Sequence, residues 1–412
     1  MEEGEIVRDL KHLYYFESLL KDVNNELVRE AQKHGGIAVG YTCYHMPEPL
    51  LNLGNCFSVR LRAPRTGSMD IATYYMSNAT CEYARALLER GLEGGYRFLD
   101  CMAGVDVCEC MNRSMENMEL LGVADPEKKN FFWCNLDSPC HDNEDAVRHV
   151  TEQVTRKVLK PLQEHFGVDI SDEAVRKSVA NHNEICRLIT EIGSYRRLHE
   201  PTITGYEFHV ITLASYVCPK HLLLEKLRET AQELKTREPD RKKSYRVKVV
   251  VVGSEIDDPE LISLIEDSGA LVVADRFCYG SIPGREEITL QEGEDAVTQV
   301  VRNYLQTTLC VRHVEPHKIQ KRLDVVRKLQ RDYHADGIIY EQIKFCTYWS
   351  YERALASHIM QEEYGIPTLS VDRPYMSRSS GQLRTRVQAF VESLEIKRIK
   401  ARREQEVTGC GV

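Results

Sequence analysis

The stretch NATCEYARALLERGLEGGYRFLDCMAGVDVCECMNRSMENM (78–118) decides the fold class. Cys81 opens a helical pattern, CEYARALLE. The apolar run from Tyr96 to Met102 reads as a short buried strand. A small-residue loop, Ala103 to Asp106, then delivers Cys108, and a second helical pattern follows. Helix, strand and helix in succession are the building unit of a parallel sheet covered on both faces. Two cysteines thus stand at element ends, where parallel α/β folds place their chemistry. A third, Cys346, follows another strand in GIIYEQIKFCTYWSYE (337–352). Thiols converging on strand ends point to a metal site.

Working outward, IAVGYTC (37–43), NCFSVRL (55–61), YRFLDCM (96–102) and FFWCNLD (131–137) are the predicted strands of a first α/β domain, residues 36–141. MPEPLLNLG (46–54) between the first two is a predicted helix, started by Pro47 and stopped by Gly54. A helical lead-in, 1–35, precedes this domain and ends at Gly35-Gly36. From 142 to 244 the strand pattern disappears and apolar residues recur at helical spacing, with Ser171 placed to cap one helix. The charge run 238–243 reads as a solvated linker. A second α/β domain, 245–396, begins at YRVKVVVVGS and continues through ALVVAD, GIIYEQI and PTLSVD. Asp258-Pro259 starts its first helix and Gly269 closes it. The tail 397–412 is charged, reads as frayed, and makes Cys410 incidental. The expected fold class is therefore α/β, with two parallel-sheet domains and a helical region between them.

The 412 residues suffice for two or three cores. A net charge of −9 and the lack of a basic stripe with interleaved aromatics argue against a nucleic-acid face. No apolar run approaches membrane-spanning length, and the acidic start MEEGEIVRDLKHLYYF has no signal core. Fourteen cysteines without an export signal fit a reducing, cytoplasmic setting in which thiols stay free or bind metal.

Position sorts those thiols. Cys56 and Cys134 lie inside predicted strands, and Cys186 and Cys218 in the helical region; all four read as core residues. Cys101, at a strand end, is ambiguous. Cys43, Cys108, Cys278 and Cys346 follow strands at their carboxyl ends, and Cys81 and Cys310 fall at helix or loop junctions. If the two sheets face each other through their carboxyl edges, these six surround one cleft. Three readings stay open on residues alone: an iron–sulfur cluster, a zinc site, or buried thiols. Only Cys108 and Cys110 are close in sequence, too tight for the usual zinc knuckle. Dispersed thiols on separate loops suit a cluster between domains better. There is no phosphate loop of the G-x-x-x-x-G-K-[ST] type, no G-x-G-x-x-G after either first strand, no G-x-S-x-G and no H-E-x-x-H. His141, His149, His313 and His317 are scattered, and Asp372-Arg373, after the last strand, could orient a ligand, though a charged pair there is more often a loop anchor.

These residues resemble the 2-hydroxyacyl-CoA dehydratase and benzoyl-CoA reductase family of iron–sulfur proteins over roughly residues 36–395. The resemblance rests on CEYAR from Cys81, VDVCECMNR, ALVVADRFCYGS, IKFCTYWSYE and GQLRTRVQAF, in that order. It implies two flavodoxin-like (Rossmann-like) domains. It implies that Cys81, Cys108 and Cys346 ligate a four-iron four-sulfur cluster, with Cys110 a rival to Cys108. The implied activity is low-potential one-electron reduction of a CoA thioester, as a dehydratase lyase or a reductase. The implied partners are a separate ATP-hydrolysing iron–sulfur activator and either a second copy or a related subunit. A second branch of the family holds a double-cubane cluster and reduces small molecules. Its six cysteines resemble Cys43, Cys81, Cys108, Cys278, Cys310 and Cys346, although RFCYGSIPG and LCVRHVEP depart from its pattern. A non-catalytic scaffold that binds a metal or passes on a cluster is the third functional alternative.

Overall fold

The computed structural model describes residues 9–239, 244–281, 286–375 and 381–409. Residues 240–243 of the predicted linker and Cys410 of the tail lie outside the described residues. Among the described residues, eight strands form two four-stranded sheets. The first holds β1 (Ile37–Tyr41), β2 (Cys56–Arg60), β3 (Cys101–Asp106) and β4 (Phe132–Asp137), in the order β2-β1-β3-β4. The second holds β5 (Val247–Gly253), β6 (Ala270–Phe277), β7 (Gly337–Ile343) and β8 (Thr368–Arg373), in the order β6-β5-β7-β8. Every pairing is parallel, so the second sheet repeats the strand order of the first. All seven residues of β7 are buried, as are six of the seven of β5; VKVVVVG has no polar–apolar alternation because both faces are covered.

Two local expectations change. β3 begins at Cys101, not Tyr96, and its last four residues are the Ala103–Asp106 segment read as a loop. The small residues there serve packing. A Cβ on Gly104 would come within 2.9 Å of Asn135 Oδ1 and 3.2 Å of Met115 Cε on the returning helix. The β1–β2 connection holds a single 3₁₀ turn, Glu48–Leu51, in place of a helix. Proline cannot donate in a helix interior, and the chain turns at Gly54 with φ +57° after only one turn. Leu50, Leu51 and Leu53 are fully buried beside it.

Four cores flank the sheets. Leu87, Leu88, Met115 and Met118, from helices Glu82–Leu92 and Glu109–Leu120, cover one face of the first sheet. Val147 and Val150 of helix Glu144–Val154 cover the other, joined by Val297 and Val300 from later in the chain. Helices Glu260–Asp267 and Gly381–Gly409 pack on one face of the second sheet, and Pro316–Asp332 and Thr347–Glu362 on the other. The last helix runs on to Gly409, through the tail read as frayed. Ser171 caps helix Asp172–Ser194 by accepting from the Ala174 amide at 3.3 Å.

Helix Gly205–Val217 joins the two halves. It is buried all round except at Tyr206 and packs against both β2 and β6. A helix apolar on every face must be surrounded by protein. Its start is fixed by a capping box of Thr204 and Glu207. The sheets then meet through their carboxyl ends. Arg60, closing β2, donates to the Cys278 carbonyl at 2.6 Å. The Tyr83 and Tyr279 hydroxyls lie 2.9 Å apart. Tyr375, just after β8, donates its amide to Glu82 Oε2 at 2.6 Å. This apposition is the condition under which the six thiols were expected to share one cleft.

Candidate functional site

The thiols fall into two groups. Cys81, Cys108 and Cys346 each occupy the N-cap position of a helix: Glu82–Leu92, Glu109–Leu120 and Thr347–Glu362. Each gives its carbonyl to the first helical hydrogen bond, from Arg85 (3.2 Å), Asn112 (3.0 Å) and Ser350 (2.9 Å). None of the three sulfurs closes a capping hydrogen bond, so the first-turn amides remain donors. Tyr83 and Ala84, Met111, and Trp349 supply the amides that favour the three thiolates. Cys81 is buried, and Cys108, Cys110 and Cys346 pack against the same apolar cluster. The four also influence one another. Burial pushes the Cys81 thiol up to about 12, and the neighbouring Cys110 adds to the rise. Burial and then Cys81 push Cys346 up. Cys108 and Cys110 act on each other, which raises the first and lowers the second. Both stand in the first turn of one helix, so this structure leaves either able to supply a ligand.

Cys346 is presented by an unusual backbone. Phe345 has φ +65°, left-handed for a residue other than glycine, and its side chain is half-exposed. Ser254 pins the surrounding loops. It accepts the Cys278 amide on its carbonyl at 3.1 Å and the Ile343 amide on its hydroxyl at 2.8 Å. Glu341, fully buried, receives the Ser254 amide and hydroxyl at 2.9 Å each and pairs with Arg373 at 2.7 Å. Arg373 therefore anchors a loop, as read from the sequence.

The second group is Cys43 after β1, Cys278 after β6 and Cys310 between helices Ala296–Thr307 and Pro316–Asp332. All three are half-buried. Burial raises each thiol, Cys43 to about 12, and the three act on one another. Arginines surround them. Arg60 is fully buried, lies 3.8 Å from the Tyr279 ring centroid and pairs with Glu255 at 3.3 Å. Arg276 donates to the Leu309 carbonyl at 2.5 Å. Arg322 donates to the Cys310 carbonyl at 3.3 Å and holds Glu352 through two 2.8 Å bonds. Arg312 donates to the Ser138 carbonyl at 2.5 Å and lies 3.2 Å from Cys140 Sγ.

Glu255 stands between the groups. Burial pushes its carboxyl up to about 7, against the pull of Arg60. It is among the groups acting on Cys43, Cys278, Cys81 and Cys346 alike. Among the described residues no three His, Cys, Asp or Glu side chains close around a point for one ion. A cluster distributes its thiolates over several irons, one protein ligand to each, and so takes more widely set thiols. Two features fit such a group. The first-turn amides at three helix starts suit anionic sulfur. Around the second group, Arg60 Nε, Arg276 Nη1, and Arg312 Nε and Nη1 are buried donors without acceptors.

The other thiols follow the positional reading in part. Cys56, Cys134, Cys186 and Cys218 are buried, and Cys101 is buried with Cys56 and Cys134 in the core behind the first sheet. Sequence reading passed over Cys140, an exposed thiol after β4, although it too follows a strand end. It also missed Arg60, Glu255, Arg276 and Arg312. A charged residue closing a buried strand, as Arg60 and Arg276 nearly do, is the signal that could have found two of them. His313 reaches the Cys140 carbonyl at 2.9 Å, so it belongs to the site's rim.

A family model described as 2-hydroxyglutaryl-CoA dehydratase, D-component, matches residues 43–394. The chain belongs to this family. It is 22% identical over 386 residues to the (R)-phenyllactyl-CoA dehydratase beta subunit of Clostridium sporogenes, covering 92% of this chain and 97% of that one. It is 23% identical over 384 residues to the beta subunit of (R)-2-hydroxyglutaryl-CoA dehydratase of Acidaminococcus fermentans, covering 89% and 95%. It is 20% identical over 318 residues to a benzoyl-CoA reductase subunit of Thauera aromatica, covering 77% and 80%. No helix among the described residues is long and apolar enough to cross a membrane.

Proposed function

We propose that this chain is the iron–sulfur subunit of an enzyme resembling the 2-hydroxyacyl-CoA dehydratases and benzoyl-CoA reductases, working in the cytoplasm. Cys81, Cys108 or Cys110, and Cys346 would hold the cluster. The observation that supports this most is the meeting of three helix N-termini, each capped by a cysteine, in one buried patch between two sheets. Held there, a four-iron cluster would supply low-potential one-electron chemistry and Lewis acidity toward a CoA thioester. The chain's own residues hold the thiolates at the helix starts and exclude water with Tyr83, Tyr279 and Tyr375. They also keep Glu255 at the boundary between the two thiol groups. The electron would come from a separate ATP-hydrolysing activator, consistent with the lack of a phosphate loop in this sequence. Relatives named as subunits support pairing with a related chain.

A second reading, the double-cubane branch, is favoured by a separate observation: Cys43, Cys278 and Cys310 also gather, under buried arginine donors that lack acceptors. Iron per chain on anaerobically purified protein separates the two, measured again on a Cys43→Ser/Cys278→Ser/Cys310→Ser variant. About four irons in both supports the single cluster; about eight, falling sharply in the variant, supports the larger one. Zinc alone, or no metal in either, would remove both and leave a scaffold.

A further inference from the structure

The two thiol groups differ in how their charge is balanced. The leading influences on Cys81, Cys108 and Cys346 are burial, one another, Cys110, carboxylates and helix amides. Around Cys43, Cys278 and Cys310 the balance comes from whole cations. Arg60 and Arg322 are matched by Glu255 and Glu352. Arg276 and Arg312 make no ion pair among the described residues. They are only 4% and 8% exposed, and three of their guanidinium nitrogens are buried without an acceptor. An unpaired buried charge is among the costliest features a fold can keep, and each missing acceptor costs further. Neutral thiols cannot balance these two cations. Thiolates ligating a group with anionic sulfur acceptors can, because they bring both the charge and the acceptors.

We propose that Arg276 and Arg312 are positioning residues that balance an anionic iron–sulfur group on Cys43, Cys278 and Cys310, and so make this half easier to reduce than the helix-capped half. The inference rests on the second reading above. Its physical basis is that net charge and hydrogen bonds to sulfur set a cluster's potential. Added positive charge stabilises the reduced, more negative state. An electron arriving near Cys81, Cys108 and Cys346 would then settle toward Cys43, Cys278 and Cys310, beneath Arg276 and Arg312.

The test uses the full chain, reconstituted anaerobically with iron and sulfide. Arg312→Met, Arg312→Lys and the Cys43/Cys278/Cys310 serine variant are compared with the parent for iron content and for midpoint potentials by spectroscopic titration. The expected result is a more negative midpoint in Arg312→Met at unchanged iron content, largely restored in Arg312→Lys. Loss of iron in Arg312→Met that Arg312→Lys restores also supports the charge. Unchanged midpoints at unchanged iron, or equal losses in Met and Lys variants, overturn the proposal. If the serine variant binds as much iron as the parent, the underlying reading fails instead, and the inference with it.

Discussion

Replacing Arg322 by methionine tests the support of the Cys310 loop. Arg322 and Glu352 are 1% and 4% exposed at their side chains and joined by two 2.8 Å bonds. Arg322 also donates to the His313 carbonyl at 2.7 Å and, more weakly, to that of Cys310 at 3.3 Å. Removing the guanidinium strips the buried carboxylate of its hydrogen-bonded counter-charge and leaves only the more distant Arg276, which costs about 3–5 kcal/mol. Replacing both partners, Arg322→Met/Glu352→Leu, removes that penalty and takes this donor from the His313 carbonyl, about 1–3 kcal/mol, while the Cys310 carbonyl keeps the His313 amide at 3.1 Å. Trp349 is buried on the same helix as Glu352, and Trp133 is the other tryptophan of the chain. Urea unfolding followed by Trp349 fluorescence in a Trp133→Phe background therefore reads this unit. A single variant costing less than about 1 kcal/mol, or a double variant as unstable as the single, would refute the account of a buried pair whose value lies in its mutual compensation.

Two more predictions follow from the backbone and from a buried imidazole. At Phe345, the left-handed φ of +65° makes glycine tolerable and valine costly: Phe345→Val should lose about 1–2 kcal/mol and Phe345→Gly little, as read by thermal unfolding. Equal effects would show that the conformation carries no strain. Burial holds His209 down to about 4, and its Nε2 faces the Ile256 carbonyl at 3.0 Å. The unfolded chain takes up this proton near pH 6.5 and the folded one only near 4. His209 thus withdraws no stability above pH 6.5 and as much as roughly 3 kcal/mol as the pH falls through that window. A His209→Gln variant whose stability falls as steeply as the parent's between pH 6.5 and 4 would contradict this.

Much of this architecture was legible in the sequence because covered parallel strands leave a plain signal. VKVVVVG has no alternation, and only a sheet buried on both faces tolerates that. The β3 boundary was misplaced because Ala103 and Gly104 suit a turn as well as a crowded strand, and only the returning Met115 distinguishes the two. Strand-end and junction positions brought out six cysteines, and the structure divides them into two groups of three. That division depends on how the sheets face one another, which no local pattern encodes. The arginines were invisible for the same reason. Arg312 lies two residues from Cys310, yet its contacts are with Ser138 and Cys140 of the other half.

The central claim is that Cys81, Cys108 or Cys110, and Cys346 hold an iron–sulfur cluster at three helix starts. Anaerobic iron and acid-labile sulfide analysis of Cys346→Ser, with Cys56→Ala as the buried control, tests it most directly. Cys56 lies in the core behind the first sheet, so its variant should keep the parent's iron and visible absorption. Cys346→Ser should keep its fold by circular dichroism while losing iron, sulfide and the visible band together. Full iron content with unchanged absorption in folded Cys346→Ser would contradict the claim.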